Sequence, residues 1–170
     1  MNALEQNRHS LANYKIVQGL SPNHLETLSL CLTYRKIQKG EDLFTEGSEG
    51  ESLFFLVEGS VRISQQLTLL SSQMEKEVRE KALVVLSADS YPCFGEIGLL
   101  KKGVRTATVT ALQDCALFEL GHKDFLRLIQ SEPDLGVRLI LNLSAVVCSN
   151  LEVANRNILK LTTALSLALG

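Results

Sequence analysis

Residues 40–64 read GEDLFTEGSEGESLFFLVEGSVRIS, and the alternation of apolar residues with glycine in this stretch decides the fold class. Leu43 and Phe44, then Leu53, Phe55 and Val57, then Val61 and Ile63 form short apolar runs; Gly40, Gly47, Gly50 and Gly59 punctuate them. Glycine enters tight turns that other residues resist. Apolar runs too short for helices, each closed by a turn residue, describe antiparallel strands. The expected fold is mainly β within the α+β class, a double-stranded β-helix (jelly roll), and not a parallel α/β sheet.

Working outward, the spacing of Leu4, Leu11 and Tyr14 predicts an amphipathic N-terminal helix ending near Gly19. Ser21-Pro22 then reads as an N-cap and first turn opening a second helix through Leu25, Leu28 and Leu32. Downstream of Ile63, the run QQLTLLSSQMEKEVREK (65–81) has no strong period and ends in alternating charges, as a solvated hairpin extension would. ALVVLS (82–87) is expected to be a buried strand, with TATVTA (106–111) and CALFELG (115–121) supplying two more. From His122 onward the pattern is helical. The expected organisation is one domain: N-terminal helices over 1–33, a jelly-roll core over 34–121, and a hinge helix with a long C-terminal helix over 122–170.

That last helix carries a seam. Val147, Leu151, Ala154, Ile158, Leu161, Leu165 and Ala168 follow at alternating steps of four and three, the spacing of a coiled-coil face. Such a stripe either packs on the domain's own β-core or pairs two copies. A seam sustained this far outruns a small domain, so the expectation is a homodimer through residues 147–168.

The chemistry concentrates in residues 94–109, FGEIGLLKKGVRTATV. Gly95 lets backbone approach a ligand closely, and the N–H groups of a helical turn starting at Glu96 favour an anion. Glu96 would repel phosphate but accepts a hydrogen bond from a hydroxyl. Arg105 offers a fork that matches phosphate oxygens, and Thr106 adds a hydroxyl donor. Taken alone, a Glu and an Arg at this separation also describe a surface ion pair.

The intervening residues resolve this. The stretch strongly resembles the phosphate-binding cassette of the cyclic nucleotide-binding domain family, whose pattern runs F-G-E-[IL]-[AG]-L-L, a short loop, then R-[TSA]-A-[TS]-V. Here it stands as Phe94-Gly95-Glu96-Ile97-Gly98-Leu99-Leu100 and Arg105-Thr106-Ala107-Thr108-Val109. The glycines of residues 40–64 also match the family's paired glycine turns, so the resemblance covers nearly the whole chain. It implies that Glu96 holds the ribose 2′-hydroxyl. Arg105 would pair with the cyclic phosphate, helped by Thr106 and the N–H groups of Gly95, Ile97 and Gly98. Val61, Ile63 and Val84 would pack the base. The family's base-contacting position on the C-terminal helix falls on Asn150, where an amide could equally set register at a dimer seam. The implied ligand is cyclic AMP or cyclic GMP, with cyclic AMP favoured by the bacterial-regulator look of the hinge and C-terminal helix. The implied mechanism is reorientation of that helix.

There are departures. Ala88-Asp89-Ser90-Tyr91-Pro92-Cys93 stands where the family has Gly-Asp before the cassette, which leaves the shape of that turn open. The 65–81 hairpin is longer than usual. The chain stops after the C-terminal helix, where regulators of this family continue into a helix-turn-helix. Beyond Pro133 the basic residues are Arg138, Arg156 and Lys160, too few for a DNA-reading surface. Two alternatives therefore stand beside a sensor domain: the ligand-binding part of a transcription regulator lacking its DNA-binding half, and a structural dimerisation module with a vestigial pocket.

Composition narrows the rest. A net charge of -2 over 170 residues gives no footprint for nucleic acid or an anionic membrane. The cysteines, Cys31, Cys93, Cys115 and Cys148, are far apart and read as reduced thiols rather than metal ligands. His9, His24 and His122 lie outside the cassette, and no nucleophile–base or metal-ligand spacing is present, so neither enzyme activity nor a cofactor is expected. No signal peptide and no uninterrupted apolar run of membrane-spanning length is visible, and the expected location is the cytoplasm. Arg105 is expected to be an exposed pocket residue whose removal leaves thermal stability unchanged.

Overall fold

The computed structural model describes residues 10–68 and 78–169. Among these residues are ten strands and four α-helices. Helix α1 (Pro22–Leu30) begins as expected: Ser21 Oγ accepts from the His24 N–H at 3.2 Å, and Pro22 occupies the first turn. Most of the expected N-terminal helix, residues 1–9 with Leu4, lies outside the described residues; Ser10 and Leu11 are helical, and a turn and a 3-10 helix at Lys15–Val17 follow before α1. Burial holds this segment in place, since Leu11, Tyr14, Ile16 and Val17 are all in the core.

The strands are β1 (Thr33–Ile37), β2 (Asp42–Phe44), β3 (Glu49–Gly50), β4 (Ser52–Glu58), β5 (Ser60–Thr68), β6 (Val78–Ser87), β7 (Cys93–Phe94), β8 (Gly103–Val104), β9 (Thr108–Ala111) and β10 (Cys115–Gly121). They form two four-stranded sheets, β1-β10-β4-β7 and β2-β9-β5-β6, with a small β3-β8 pair beside them. Every pairing is antiparallel, as the jelly roll requires.

Strand β4 shows why its sequence is apolar without alternation. Leu53 and Phe55 face the helices, joining Leu28, Phe118, Phe125 and Leu139 in one core. Phe54 and Leu56 face the second sheet, joining Val61, Phe94, Val109 and Leu117 in another. A strand buried on both faces reads as a continuous apolar run. The hairpin to β5 turns at Gly59 (φ 91°), where a Cβ would lie 2.6 Å from the Asp114 carbonyl oxygen.

Strand β6 corrects the expectation for residues 82–87. Leu83, Val84 and Val85 are 51%, 44% and 56% exposed. The strand is the outer one of its sheet, and its register slips from Ile63↔Val84 to Ser64↔Ala82, leaving Leu83 as a bulged extra residue. The 65–81 hairpin exists as the paired ends of β5 and β6, and its tip, residues 69–77, lies outside the described residues. The turn after β6 is a 3-10 helix at Ala88–Ser90, closed by Tyr91 in the left-handed region (φ 49°). Tyr91 is held there by a ring contact with Tyr14 at 5.6 Å.

Helix α2 (Glu96–Leu100) lies between β7 and β8; α3 (His122–Ser131) and α4 (Pro133–Leu169) close the chain. Helix α4 is anchored by Leu135, Leu139 and Leu143, and by Asn142 Nδ2, which donates to the Ile16 and Gln18 carbonyls at 2.9 Å each. Beyond this anchor most of the helix is exposed. Leu151, Ile158, Leu161 and Leu165 are all exposed, so that part of the seam does not pack on the chain's own core. One expectation needs amending: α4 is long and apolar enough to cross a membrane by length and composition, with a mean hydropathy of 1.4 in a window 11% buried. Scattered charges within it hid this from a search for uninterrupted apolar runs.

Candidate functional site

Arg105, between β8 and β9, is the centre of the site, and it is buried, with 7% of its surface exposed. This corrects the expectation of an exposed side chain. The backbone holds it from both sides: its N–H donates to the Ser48 carbonyl at 2.7 Å, and its carbonyl accepts from the Gly47 N–H at 2.9 Å. The guanidinium lies over the Phe44 ring, 4.1 Å from its centroid, and 5.5 Å from that of Phe54. Nη1 donates to the Ser52 carbonyl at 2.9 Å. Burial pulls its pKa below the usual arginine value, opposed by the charge of Glu119.

Three glycines make room for it. A Cβ on Gly50 would overlap the guanidinium group itself. A Cβ on Gly98 would come within 2.8 Å of Nη1 and 2.7 Å of the Gly50 carbonyl oxygen, and one on Gly95 within 2.7 Å of the Ser52 carbonyl oxygen. Only Gly95 of these also needs a left-handed backbone (φ 85°), as N-cap of α2. The collar is tight, yet Nε has no hydrogen-bond partner. A buried, desolvated cation with an unused donor is costly unless an anion completes it.

Glu96 opens α2, whose first N–H groups have no partner within the helix. Its Oε1 accepts from Asn150 Nδ2 of α4 at 3.0 Å. Thr106 is exposed, and its carbonyl accepts from Gln65 Nε2 at 2.6 Å. His122 Nδ1–H donates to the Leu99 carbonyl at 2.6 Å, and its own N–H donates to the Glu51 carbonyl at 2.8 Å. The histidine that the sequence set aside thus ties the end of α2 to the start of α3.

Arg105, Glu96 and Thr106 line one cavity of about 630 Å³, within the range of small-molecule sites. Gly95, Glu96, Ile97, Gly98, Arg105 and Thr106 form its polar end. Ile63 and Val84 form part of its apolar wall, and Asn150 faces them from α4. The expectation fails for Val61. It is fully buried between the sheets, on the same face of β5 as Ile63 but deeper, and does not line the cavity. The sequence reading also missed Phe44, Gln65, Leu83, Cys93 and Asn157, all in the lining. No local pattern marks them, because each arrives from a different element. Cys93 is no nucleophile: burial, and next the charge of Glu96, push its thiol up to about 11. Among the described residues no cluster of His, Cys, Asp and Glu could hold a metal ion.

The arrangement suits a ligand with one anionic group for Arg105, a hydroxyl for Glu96, and a flat apolar part for the Ile63–Val84 wall. The family model for the cyclic nucleotide-binding domain matches residues 34–132. The chain is 31% identical over 143 residues to the Cyclic AMP receptor protein of Thermus thermophilus, covering 82% of this chain and 58% of the receptor. It is 32% identical over 153 residues to Glutaminase 1 of Bradyrhizobium diazoefficiens, covering 90% of this chain but 22% of that protein. Among solved structures, the Catabolite Activator Protein of Thermus thermophilus superposes with a TM-score of 0.73 at 27% identity, over 87% of this chain and 63% of that one. The chain thus spans between about a fifth and three fifths of these relatives.

Proposed function

The chain belongs to the cyclic nucleotide-binding domain family, and from that membership we propose that it is a regulatory module that binds cyclic AMP in preference to cyclic GMP, and not an enzyme. The observation that carries the reading is Arg105, a buried guanidinium in the cavity lining with an unused Nε–H. In this reading Arg105 and Thr106 take the cyclic phosphate with the N–H groups of Gly95, Ile97 and Gly98. Glu96 takes the ribose 2′-hydroxyl, Ile63 and Val84 pack the base, and Asn150 bounds the cavity from α4. Ligand occupancy then favours one placement of α4 over another, which is all that a switch needs.

We read the exposed stripe of α4 as a homodimer seam and not as a membrane span. Glu152, Arg156 and Lys160 recur off the stripe, and a lipid-facing helix would be apolar around its circumference. A cytoplasmic location accords with that reading. The partial span of its relatives favours a second reading, the ligand-binding part of a transcription regulator. In that case cyclic AMP would alter operator binding by the longer protein.

Calorimetric titration tests the reading. Cyclic AMP is expected to bind one site per chain, more tightly than cyclic GMP. It should also bind more tightly than 5′-AMP, whose second phosphate charge finds no cation besides Arg105 among the described lining residues. Equal heats of dilution for all three would overturn it.

A further inference from the structure

Helix α4 leaves the core at Leu143, its last fully buried residue. Asn150 lies seven positions on, about 10 Å farther along the axis at the rise of an α-helix. There its Nδ2 donates to Glu96 Oε1 at 3.0 Å. Among the described residues, no hydrogen bond farther along α4 leaves the helix, since Thr162 and Thr163 bond only to carbonyls of their own turn. The amide orientation is fixed by chemistry, because an ionised carboxylate only accepts and so must face the nitrogen. A carboxylate has lone pairs for several donors, and one from Asn150 leaves the other oxygen for a hydroxyl. The cavity exists with α4 in this position, since Asn150, Val153, Ala154 and Asn157 are among its walls. A ligand therefore has no need to displace the amide.

We propose that Asn150 is a positioning residue for Glu96. Its N–H turns the carboxylate so that the free oxygen faces the cavity, and the same bond pins α4 to the hydroxyl-binding end of the site. This rests on the cyclic-nucleotide reading above and deepens it. The 2′-hydroxyl becomes the ligand group that α4 senses, through Glu96, and Asn150 acts on the ribose rather than on the base.

The test is discrimination between cyclic AMP and 2′-deoxy cyclic AMP, measured by calorimetry on the whole chain. Asn150 is exposed, and alanine is a better helix former, so Asn150→Ala keeps the fold. The affinity ratio of the two nucleotides is expected to fall about three- to tenfold in Asn150→Ala, the order of one ordinary hydrogen bond, because the lost bond acts on the ligand only through Glu96. Asn150→Gln, whose amide reaches one methylene farther, should restore part of the ratio. Asn155→Ala, on another face of the same helix, controls for helix propensity and should leave it at the wild-type value. An Asn150→Ala ratio equal to wild type, or tighter binding of both nucleotides, overturns the positioning role while the reading of the cavity stands. A wild type that binds neither nucleotide overturns that reading, and the inference with it.

Discussion

At Gly50 the sequence signal was correct and its physical reason was different. Gly50 was read as a turn residue like Gly40, Gly47 and Gly59; those three do adopt positive φ, but Gly50 does not. It is glycine because the Arg105 guanidinium occupies the space of its Cβ. Gly50→Ala is therefore expected to expel or tilt Arg105, losing binding while the strand core survives; cyclic AMP titration and circular dichroism of the variant check both halves. A Gly50→Ala protein that binds like wild type would show the collar to be slack. Tyr14 and Cys93 support a second expectation. The Tyr14 hydroxyl donates to the Leu56 carbonyl at 2.7 Å in the core, and burial raises its pKa beyond the ordinary tyrosine range. Cys93 is raised for the same reason, to about 11. Both groups hold their protons more tightly folded than unfolded. Their contribution is thus intact below about pH 9 and is lost as pH rises through the folded values. Denaturant midpoints should fall on the alkaline side between about pH 9 and 11, and Tyr14→Phe should flatten that fall. An alkaline limb identical in both proteins would contradict the assignment.

Among the elements, the cassette was legible because its chemistry is contiguous. Gly95 to Thr106 run through one short helix and the two-residue strand β8, so the cassette's residues reach the cavity from one continuous segment. Strand faces were legible only in part. Alternation put Val61 and Ile63 on one face of β5 but could not tell that Val61 lies beneath the opposite sheet while Ile63 reaches the cavity. An apolar run in β6 looked buried because hydrophobicity does not distinguish a core strand from an edge strand at a cavity mouth. Leu83 also faces the cavity only because a bulge turns it, and a bulge leaves no mark on residue spacing. The stripe of α4 was legible as a periodic pattern, and Leu151, Ile158, Leu161 and Leu165 on it are exposed, while its pairing with a second copy is the proposal made above. Replacing Leu151 and Ile158 with Glu should place like charges across a paired seam, an unfavourable burial. Light scattering is expected to report a dimer for wild type and a monomer for the double variant. A wild type that is monomeric at high concentration would show that the stripe serves some other partner.

Across the whole molecule, the parts that the sequence could not supply are the long-range ones. Arg105 was expected at an exposed rim because its own neighbours are polar and small. Its burial comes from Phe44, Gly50 and Phe54, brought by three other strands. The tie from Glu96 to Asn150 and the tie from Leu99 to His122 likewise join elements that no local pattern connects. Together they attach the cassette to both C-terminal helices, the route by which, in the proposed reading, a ligand held by Arg105 and Glu96 would act on α3 and α4. The consequence for Arg105→Ala differs from that of an exposed residue: the variant loses the ring contacts and the Ser52 bond, and its melting temperature without ligand should drop as well. The most direct test of the central claim is thermal unfolding of wild type and Arg105→Ala, each with and without millimolar cyclic AMP. At a ligand concentration a hundredfold above Kd the stabilisation is about 2.7 kcal/mol, which for a chain of this size raises Tm by roughly 5–10 °C. Wild type should show that rise. Arg105→Ala, with affinity about ten- to a hundredfold weaker, should gain only about 0.4–1.4 kcal/mol, a rise of roughly 1–5 °C. The same response in both proteins, whether a rise or none at all, would contradict the account.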